Sequence, residues 1–411
     1  MNEMKRLLLD GDWQLCCFPE HERVVNHPDE LASAQVGTVP AQVPGNVELD
    51  LQRAGVLPEP YYADNILKLR PYEFYQWWYT REFDIPAGGV PPLCCRSEAA
   101  EWGIPAEAYG RQWDLVLAGA DTLATVWVNG VEIGSSANML IEHRFDVTRA
   151  LRFGQTNRIA VRLRSPLNEA RRFHYDASTS GAEGRFEALW VRKAPHMYGW
   201  DILPRAVSAG LWRSVWIEEH KANAIEQIYY WTAGVSREGA TLGVRFQFRT
   251  DAPTTDGFTL RFHGVCGDHA FDWDWPCEFI ADGCYIAVPD AKLWWPKGYG
   301  EPNLYTITAQ LIRDGQVLDE RTERVGLRKL VVDRTEKAGE ATAAGAARSG
   351  TSRVDKEPDP DSHFVFYVND TPIMIKGSNW VPLDAFHSRD AGRYDQVIAL
   401  FDDLGCNMIR C

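Results

Sequence analysis

Tryptophan is unusually frequent in this sequence and is the residue type that most clearly bears on function. The 411 residues include 16 Trp beside 17 Phe and 15 Tyr. Many of these rings are expected to fill β-sheet cores, because aromatic side chains bury a large apolar area. An indole face also stacks on the C–H face of a pyranose ring. The composition alone fits both core packing and sugar binding, and the setting of each tryptophan decides between the two.

Trp200 and Asp201 are adjacent in the sequence and combine an indole with a carboxylate. From the pattern alone, a core tryptophan beside a satisfied loop carboxylate is the simpler interpretation. We interpret Trp231, Trp294 and Trp295 as packing residues, and His196 as structural rather than catalytic.

The cysteines do not form a recognisable metal or disulfide pattern. Nine are scattered along the chain, with adjacent pairs at Cys16-Cys17 and Cys94-Cys95 and no Cys-X-X-Cys spacing. We predict reduced thiols in a reducing compartment, with a zinc site as the alternative.

The charge balance limits the classes of partner. The net charge is −14 and the isoelectric point is about 5.2, which excludes nucleic acid and anionic membrane surfaces as expected partners. No run approaches the roughly 18 apolar residues of a membrane helix. The apolar run Leu7–Leu9 before Asp10 is too short for a signal-peptide core. We therefore predict a cytoplasmic protein.

Short alternating segments from Leu7 to about Glu218 predict antiparallel strands. The clearest is Leu123–Ile133, in which apolar residues alternate on both sides of Asn129-Gly130. This dipeptide favours a type I′ hairpin, because both turn residues need a positive φ. Arg158–Leu163 alternates in the same way. Such strands without long helical periodicity predict an antiparallel sandwich or jelly roll.

A second set of short strands follows between about Ala222 and Val332, and its length fits an immunoglobulin-like sandwich. Two segments interrupt these patterns. Pro91–Arg111 is interpreted as an insertion in a surface loop. Thr335–Ser362, rich in Ala, Gly, Thr, Ser and acids, is interpreted as a mobile loop or linker, because it has too few apolar residues to bury.

The last segment changes to an α/β pattern. Phe364–Val368 and Ile373–Lys376 predict a hairpin around Asn369-Asp370. Arg393–Leu404 has the apolar spacing of an amphipathic helix with Gly405 as its cap, and Asn407–Cys411 begins a new strand. A strand, a helix and a strand open an α/β domain without completing it. We therefore predict that the chain stops inside its last domain, with a short appended motif as the alternative.

Four groups of motifs, taken in order, resemble the family 2 glycoside hydrolases and, within them, the β-mannosidases. They are Leu9–Gln14 with Val43–Val47; Ala124–Gly130; Lys193–Asp201 with Gly210–Arg213; and Leu293–Gly300 with Gly326–Arg328 and Lys376–Asp384. Gly199-Trp200-Asp201 favours β-mannosidase over β-galactosidase or β-glucuronidase. One departure is Trp200-Asp-Ile-Leu-Pro204, where the family usually has Trp-Asp-Trp-Gly-Pro.

The resemblance implies a mainly β protein with a jelly-roll sugar-binding domain (1–220), an immunoglobulin-like β-sandwich (221–334), a linker (335–362) and the start of a (β/α)₈ TIM barrel (363–411). Barrel active sites lie at the carboxyl ends of the strands. The substrate-binding residues implied are Trp200, Asp201, Asn379, Trp380 and Arg410. The resemblance implies that Asp201 would accept hydrogen bonds from sugar hydroxyls and that Trp200 would form a wall of the pocket. Arg410 would hold the nucleophilic carboxylate ionised.

The function implied is removal of terminal β-D-mannose from non-reducing ends with retention, without a metal or organic cofactor. Both catalytic glutamates of the family lie on later barrel strands, so no residue of this chain is assigned a catalytic role and the chain alone is expected to be inactive. The alternatives are a non-catalytic carbohydrate-binding or scaffold protein and another exo-acting family 2 glycosidase. The resemblance leaves the oligomeric state and the natural glycan open.

Overall fold

The structure, a computed structural model, describes residues 6–23, 25–34, 37–85, 112–179, 181, 186–201, 203–335 and 363–411. The chain divides into two compact units. The first comprises Met1–His220 with Val381–Gln396, and the second comprises Lys221–Trp380 with Val397–Cys411. The predicted insertion at Pro91–Arg111 lies outside the described residues, as does the predicted linker 335–362 except for Thr335, which is part of a strand.

The first unit is built mainly from antiparallel strands. They are β1 (Arg6–Leu8), β2 (Gly11–Pro19), β3 (Thr38–Val43), β4 (Tyr75–Asp84), β5 (Gln112–Leu117), β6 (Ala120–Asp121), β7 (Leu123–Val128), β8 (Val131–Ser136), β9 (His143–Asp146), β10 (Thr156–Arg164), β11 (Gly210–Leu211) and β12 (Val215–His220). Six strands pair in the order β3-β2-β4-β10-β7-β8, four in the order β1-β12-β5-β9, and β11 pairs with β6.

The main core of this unit follows from the alternation of its strands. Leu15, Val126 and Val161 of the six-stranded sheet and Leu115 and Ile217 of the four-stranded sheet are fully buried members of one apolar cluster. In an antiparallel strand, successive side chains point to opposite faces of the sheet. A smaller cluster is therefore formed by residues one position away in the same strands, including Cys16, Trp78, Trp127 and Ala160.

The hairpin predicted at Asn129-Gly130 is confirmed. β7 pairs with β8, and the two turn residues have φ angles of 51° and 82°. The Asn129 side chain also donates to the carbonyl of Ala150 at 2.8 Å and accepts from the N–H of Arg158 at 2.9 Å. This asparagine therefore supplies both the turn conformation and a link to the neighbouring loop.

Short helices connect the strands of the first unit. The α-helices are Glu30–Ser33, Val47–Arg53 and Pro166–Ala170, and the 3₁₀ helices are Asn65–Phe74, Phe186–Ala188, Pro195–Tyr198, His387–Arg389 and Ala391–Arg393. Val47 and Leu51 anchor one of these helices in the core. Within the described ranges, no helix has the length and apolar character needed to cross a membrane.

The second unit contains the predicted sandwich of seven antiparallel strands. They are β13 (Ala224–Ser236), β14 (Gly239–Arg249), β15 (Phe258–Cys266), β16 (His269–Pro276), β17 (Ala281–Pro289), β18 (Tyr305–Arg313) and β19 (Gln316–Val325). The two sheets have the orders β13-β14-β17 and β16-β15-β18-β19. Leu242 and Ile286 of one sheet and Leu260, Phe262 and Ile307 of the other share one core. This is the architecture of an immunoglobulin-like domain.

The rest of the second unit contains β20 (Leu330–Thr335), β21 (His363–Val368), β22 (Thr371–Ile373), β23 (Gly377–Asn379) and β24 (Met408–Arg410). β21 and β22 form the predicted hairpin, but β22 already ends at Ile373. The N–H of Lys376 instead donates to the side chain of Asn407 at 2.8 Å. β23 and β24 are parallel, and the α-helix Tyr394–Asp403 lies between them in sequence. Gly405, with φ of 70°, follows this helix in the left-handed conformation expected of its cap.

Candidate functional site

Trp200 and Asp201 lie at the tip of a tight loop in the first unit. The N–H of Ala206 donates to the carbonyl of Met197 at 3.0 Å, and the N–H of Trp200 donates to the carbonyl of Leu203 at 3.2 Å. Gly199 enters the loop with φ of 100°, a conformation that side chains disfavour. The two backbone bonds fix the base of the loop.

The tip residues are accessible to a ligand. Trp200 is 47% exposed, so the interpretation as a core tryptophan is wrong for this residue. Asp201 is also exposed, and its carboxylate has no hydrogen bond or ion pair with any residue in the described part of the chain. An exposed indole beside an unpaired carboxylate provides an apolar face and a hydrogen-bond acceptor, which are the groups predicted for sugar binding.

A buried ion pair between Lys193 and Asp121 lies in the first unit, with Lys193 a few residues before this loop in sequence. The Lys193 ammonium donates to both oxygens of Asp121, at 2.6 and 2.5 Å, and to the carbonyl of Ser208 at 2.6 Å. The Lys193 side chain is fully inaccessible to water. All three hydrogens of the ammonium are thus used, which is the condition for a charge to be tolerated in a core.

Ser208 connects this pair to a buried carboxyl group. Its hydroxyl donates to Glu48 and accepts from the Asn46 side-chain amide at 2.9 Å. Burial raises the pKa of Glu48 to about 7, although the hydrogen bond from Ser208 favours the ionised form. The result is a buried polar network with one carboxyl group that titrates near neutral pH.

The network extends to a segment that is distant in sequence. Val381–Gln396, here called the inserted segment, follows β23 but belongs to the first unit. Phe386 is fully buried in the main core of that unit, and the N–H of Ser388 donates to the Asn46 side chain at 3.1 Å. The Tyr61 hydroxyl donates to Asp384 and accepts from the N–H of Ala385 at 3.1 Å. Apolar burial and hydrogen bonds therefore attach the inserted segment to the rest of the first unit.

His196 has a structural contact within the same region. Its Nε2 lies 2.9 Å from Nε2 of His387, whose Nδ1 lies 2.8 Å from Asp390. Burial and, to a lesser extent, the neighbouring His387 lower the pKa of His196 to about 4. A hydrogen bond between two Nε2 atoms requires one of them to lack a proton. The contact therefore favours a neutral His196, which binds the inserted segment through His387.

The other predicted binding residues belong to the second unit and lie together. Asn379 and Arg410 are partners in the parallel register of β23 and β24, and the Arg410 guanidinium donates to the Asn379 side chain at 3.1 Å. The N–H of Trp380 donates to the carbonyl of Arg410 at 2.7 Å, and its ring lies 6.3 Å from that of Phe401. Asn379 and Arg410 are exposed at the carboxyl ends of their strands. The structure thus groups Asn379, Trp380 and Arg410 in the second unit and Trp200 with Asp201 in the first.

The tryptophans interpreted as packing residues lie against glycines. A Cβ on Gly243 would approach the Trp231 ring to 2.2 Å, and one on Gly326 would lie 3.0 Å from Trp294. Gly300 has the same relation to Trp295, at 2.7 Å. Arg328 also lies 4.8 Å above the Trp294 ring. Each indole fills space that only a glycine leaves free.

Cysteine and metal chemistry have little support in the described ranges. The cysteines there are free thiols, at positions 16, 17, 266, 277, 284, 406 and 411. Burial raises the pKa of Cys16 to about 11 and that of Cys17 to about 12, so both remain protonated at neutral pH. No group of three or more His, Cys, Asp or Glu with metal-binding geometry occurs in this part of the chain.

Sequence reasoning missed the residues that connect the inserted segment to the first unit. Asn46 lies in the Val43–Val47 motif and directly precedes the helix Val47–Arg53, a position where asparagine commonly caps the helix. Its side chain makes no such cap and bonds Ser208 and Ser388 instead. Its place in the motif was a signal, but its partners are 162 and 342 residues away.

Two family models match the chain in the regions of the two sandwiches. The model described as glycosyl hydrolase 2 galactose-binding domain-like matches residues 25–213, and the model of glycosyl hydrolases family 2 matches residues 225–328. The chain belongs to glycoside hydrolase family 2. The family 2 resemblance predicted from the motifs is thereby confirmed.

The similar curated proteins include β-mannosidases from distant organisms. Beta-mannosidase B of Aspergillus terreus is 29% identical over 376 residues, which are 90% of this chain and 39% of that protein. Beta-mannosidase of Mus musculus is 25% identical over 390 residues, again 90% of this chain and 40% of that protein. The chain therefore spans about two fifths of the length of the curated relatives it matches.

Solved structures show the same likeness. The β-D-mannosidase of Dictyoglomus thermophilum has a TM-score of 0.74 and 25% identity, covering 99% of this chain and 44% of its own. The β-glucuronidase of Bifidobacterium dentium has a TM-score of 0.61 and 19% identity, covering 100% of this chain and 57% of its own. The second comparison shows a common fold, and the first adds to the similarity with β-mannosidases.

Proposed function

We propose that this chain forms the sugar-binding front of a retaining β-mannosidase, which removes terminal β-D-mannose from the non-reducing ends of glycans. Similarity to β-mannosidases over 90% of the chain is the observation that supports this most directly. The exposed Trp200 and unpaired Asp201, on the loop whose sequence favours β-mannosidase, agree with it.

Trp200 and Asp201 have distinct tasks in this proposal. Trp200 would stack on the apolar face of the mannose, and Asp201 would accept hydrogen bonds from its hydroxyls. We further propose that β23, the helix Tyr394–Asp403 and β24 are the first strand, helix and second strand of a (β/α)₈ barrel. Asn379, Trp380 and Arg410 would then lie at its catalytic end.

Retaining hydrolysis needs two carboxyl groups about 5–5.5 Å apart, one as acid/base and one as nucleophile. We assign neither role to any acid of this chain. Arg410 would act on the nucleophile indirectly, because a nearby guanidinium favours the ionised form of a carboxyl group. No metal or organic cofactor enters this proposal.

The test is activity of the protein encoded by the complete reading frame that contains these residues. Hydrolysis of p-nitrophenyl β-mannoside is compared with hydrolysis of the corresponding galactoside and glucuronide. Asp201→Asn should lower kcat/KM on the mannoside by about 10²-fold or more, since a hydrogen bond to a reacting sugar strengthens in the transition state. Asp251→Asn, at an exposed position in the second unit, is the matched control.

The outcomes separate the competing functions. Preference for the galactoside or glucuronide would replace the mannosidase proposal by another exo-acting family 2 specificity. Sugar binding without turnover of any of the three would favour a carbohydrate-binding or scaffold protein. The cytoplasmic location remains a prediction, which fractionation of the native cell would test.

A further inference from the structure

The first unit contains a cavity that the proposed catalytic role does not use. It has a volume of about 490 Å³ and is lined by Phe74, Leu167, Ala170, Tyr175, Phe186 and charged residues. Binding pockets for small molecules typically measure about 300–1,000 Å³. We call it the Tyr175 cavity. Its lining comes from the first unit alone.

The charged side chains in the wall of the cavity are held in place by hydrogen bonds to one another. The Arg205 guanidinium donates to both oxygens of Glu73, at 2.9 and 2.7 Å, and to Glu187 at 2.6 Å. The side chains of Glu73 and Arg205 are only 5% and 17% exposed. A bidentate pair of this kind holds its groups in one geometry. Arg70 lies 3.4 Å from the same Glu73.

The apolar wall consists of aromatic rings. Phe74, Tyr175 and Phe186 line the cavity, and the Arg171 guanidinium lies 4.7 Å from the Phe74 ring. The Tyr175 hydroxyl is held by the carbonyl of Ala170 at 3.0 Å, which orients its ring. Tyr175 and Phe186 meet edge to face with 5.5 Å between their centroids.

An exposed aromatic surface continues from this wall. The Tyr175 ring contacts Trp190 edge to face at 6.4 Å, and Trp190 stacks on Phe173 at 5.1 Å with an interplanar angle of 10°. Trp190 is 52% exposed and Phe173 is 38% exposed. Stacked rings left open to water form a flat apolar face, and Tyr175 joins that face to the cavity.

These features define the chemistry of the occupant. The two lining carboxylates are both paired with Arg205, and the lining also includes the guanidinium groups of Arg70 and Arg171. The cavity therefore presents N–H donors for sugar hydroxyls and no unmatched negative charge. Flat aromatic faces beside fixed hydrogen-bonding groups suit a ring with apolar C–H faces and hydroxyl edges. We propose that the Tyr175 cavity binds a neutral oligosaccharide, with one ring inside it and the next over Trp190. This binding is independent of the proposed hydrolysis.

The proposal is tested by calorimetric titration of the 411-residue protein with β-1,4-mannotriose. Phe186→Ala and Tyr175→Ala should each weaken binding about tenfold, because loss of an aromatic anchor removes much of the binding energy of a small interface. Phe279→Ala, at a position 65% exposed in the second unit, should leave binding unchanged. Thermal melting of each variant shows whether it has folded.

Two results would overturn the proposal. One is the absence of binding up to about 10 mM trisaccharide, beyond the millimolar range in which weak sugar complexes form. The other is binding that Trp200→Ala and Asp201→Asn abolish while Phe186→Ala and Tyr175→Ala leave it intact. The second result would place the sugar at the loop tip and support the proposed catalytic site, so failures of the two proposals are distinguishable.

Discussion

Lys193 is a charged residue with no access to water, and its effect on stability depends entirely on its partners. Replacing it with methionine leaves Asp121 charged and unpaired in the core. We expect Lys193→Met to lower the free energy of unfolding by about 3–5 kcal/mol, the usual cost of breaking a buried pair. Denaturant unfolding followed by fluorescence measures it.

An exposed pair is the control for this change. Lys297→Met removes the pair with Asp402, in which the lysine and aspartate side chains are 44% and 74% exposed. Exposed pairs contribute roughly 0–1 kcal/mol. The double variant Lys193→Met/Asp121→Leu should recover part of the loss, because it removes the stranded charge. Equal losses from the two lysine substitutions would contradict the interpretation.

Glu48 predicts a particular pH dependence. Its pKa is about 7 in the folded protein and 4.5 ordinarily, so the folded state binds the proton more tightly. Its contribution to stability is therefore present below pH 4.5 and is lost as pH rises toward 7. Glu48→Gln keeps an acceptor for Ser208 without the charge. We expect the variant to be more stable than the wild type at pH 8 by an amount on the order of 3 kcal/mol.

The measurement is the difference between the two proteins in denaturant unfolding across this pH range. Comparison at each pH is necessary because other groups titrate too: burial raises the pKa of Asp50 to about 6 and lowers that of His196 to about 4. His196 acts in the opposite sense, adding stability as pH rises from 4 toward 6.5. Glu238→Gln, at an exposed position, should show no such difference.

At the scale of the element, β14 carries the glycine that admits a tryptophan ring. A Cβ at Gly243 would lie 2.2 Å from the Trp231 ring, whereas one at Gly234 in β13 meets nothing within 4 Å. Gly243→Ala should therefore destabilise the protein by about 1–3 kcal/mol, as overpacking does. Gly234→Ala is the matched control, and thermal melting compares them. An equal effect at both sites would rule out the ring contact as the cause.

The inserted segment depends on Phe386. Truncating this buried ring should cost about 3–5 kcal/mol and release the segment locally. Phe386→Ala is therefore expected to make Val381–Gln396 the first site of limited proteolysis, mapped by mass spectrometry. Phe364→Ala, at a ring 66% exposed in β21, is the control. An unchanged cleavage pattern in Phe386→Ala would show that the hydrogen bonds suffice.

Sequence patterns predicted those helices and hairpins that are stabilised by residues close together in the sequence. The hairpin at Asn129-Gly130 and the helix Tyr394–Asp403 each follow from turn chemistry or periodicity within a dozen residues. The helix Val47–Arg53 did not, because a helix this short is held by burial of Val47 and Leu51 in the core. The site shows the same division: Trp200 was found through a local motif, whereas Lys193 and Asp121 are 72 residues apart.

At the scale of the whole molecule, the prediction concerns what the 411 residues do alone. We expect no detectable hydrolysis of p-nitrophenyl β-mannoside by the purified chain, because no residue of it is assigned as acid/base or nucleophile. A discontinuous assay at high protein concentration measures this. Turnover that persists through purification and disappears in Asp201→Asn would show that the chain contains its own catalytic pair.

Val381–Gln396 belongs to the first unit, although residues of the second unit precede and follow it in sequence. This arrangement has a consequence for recombination between the genes of such proteins. A genetic crossover near residue 220 would join one parent's first sandwich to another parent's later residues. Phe386, Ser388 and His387 would then meet foreign partners in place of Asn46, Tyr61 and His196. Viable chimeras should therefore inherit these two stretches together, although the 160 residues Lys221–Trp380 lie between them in the sequence.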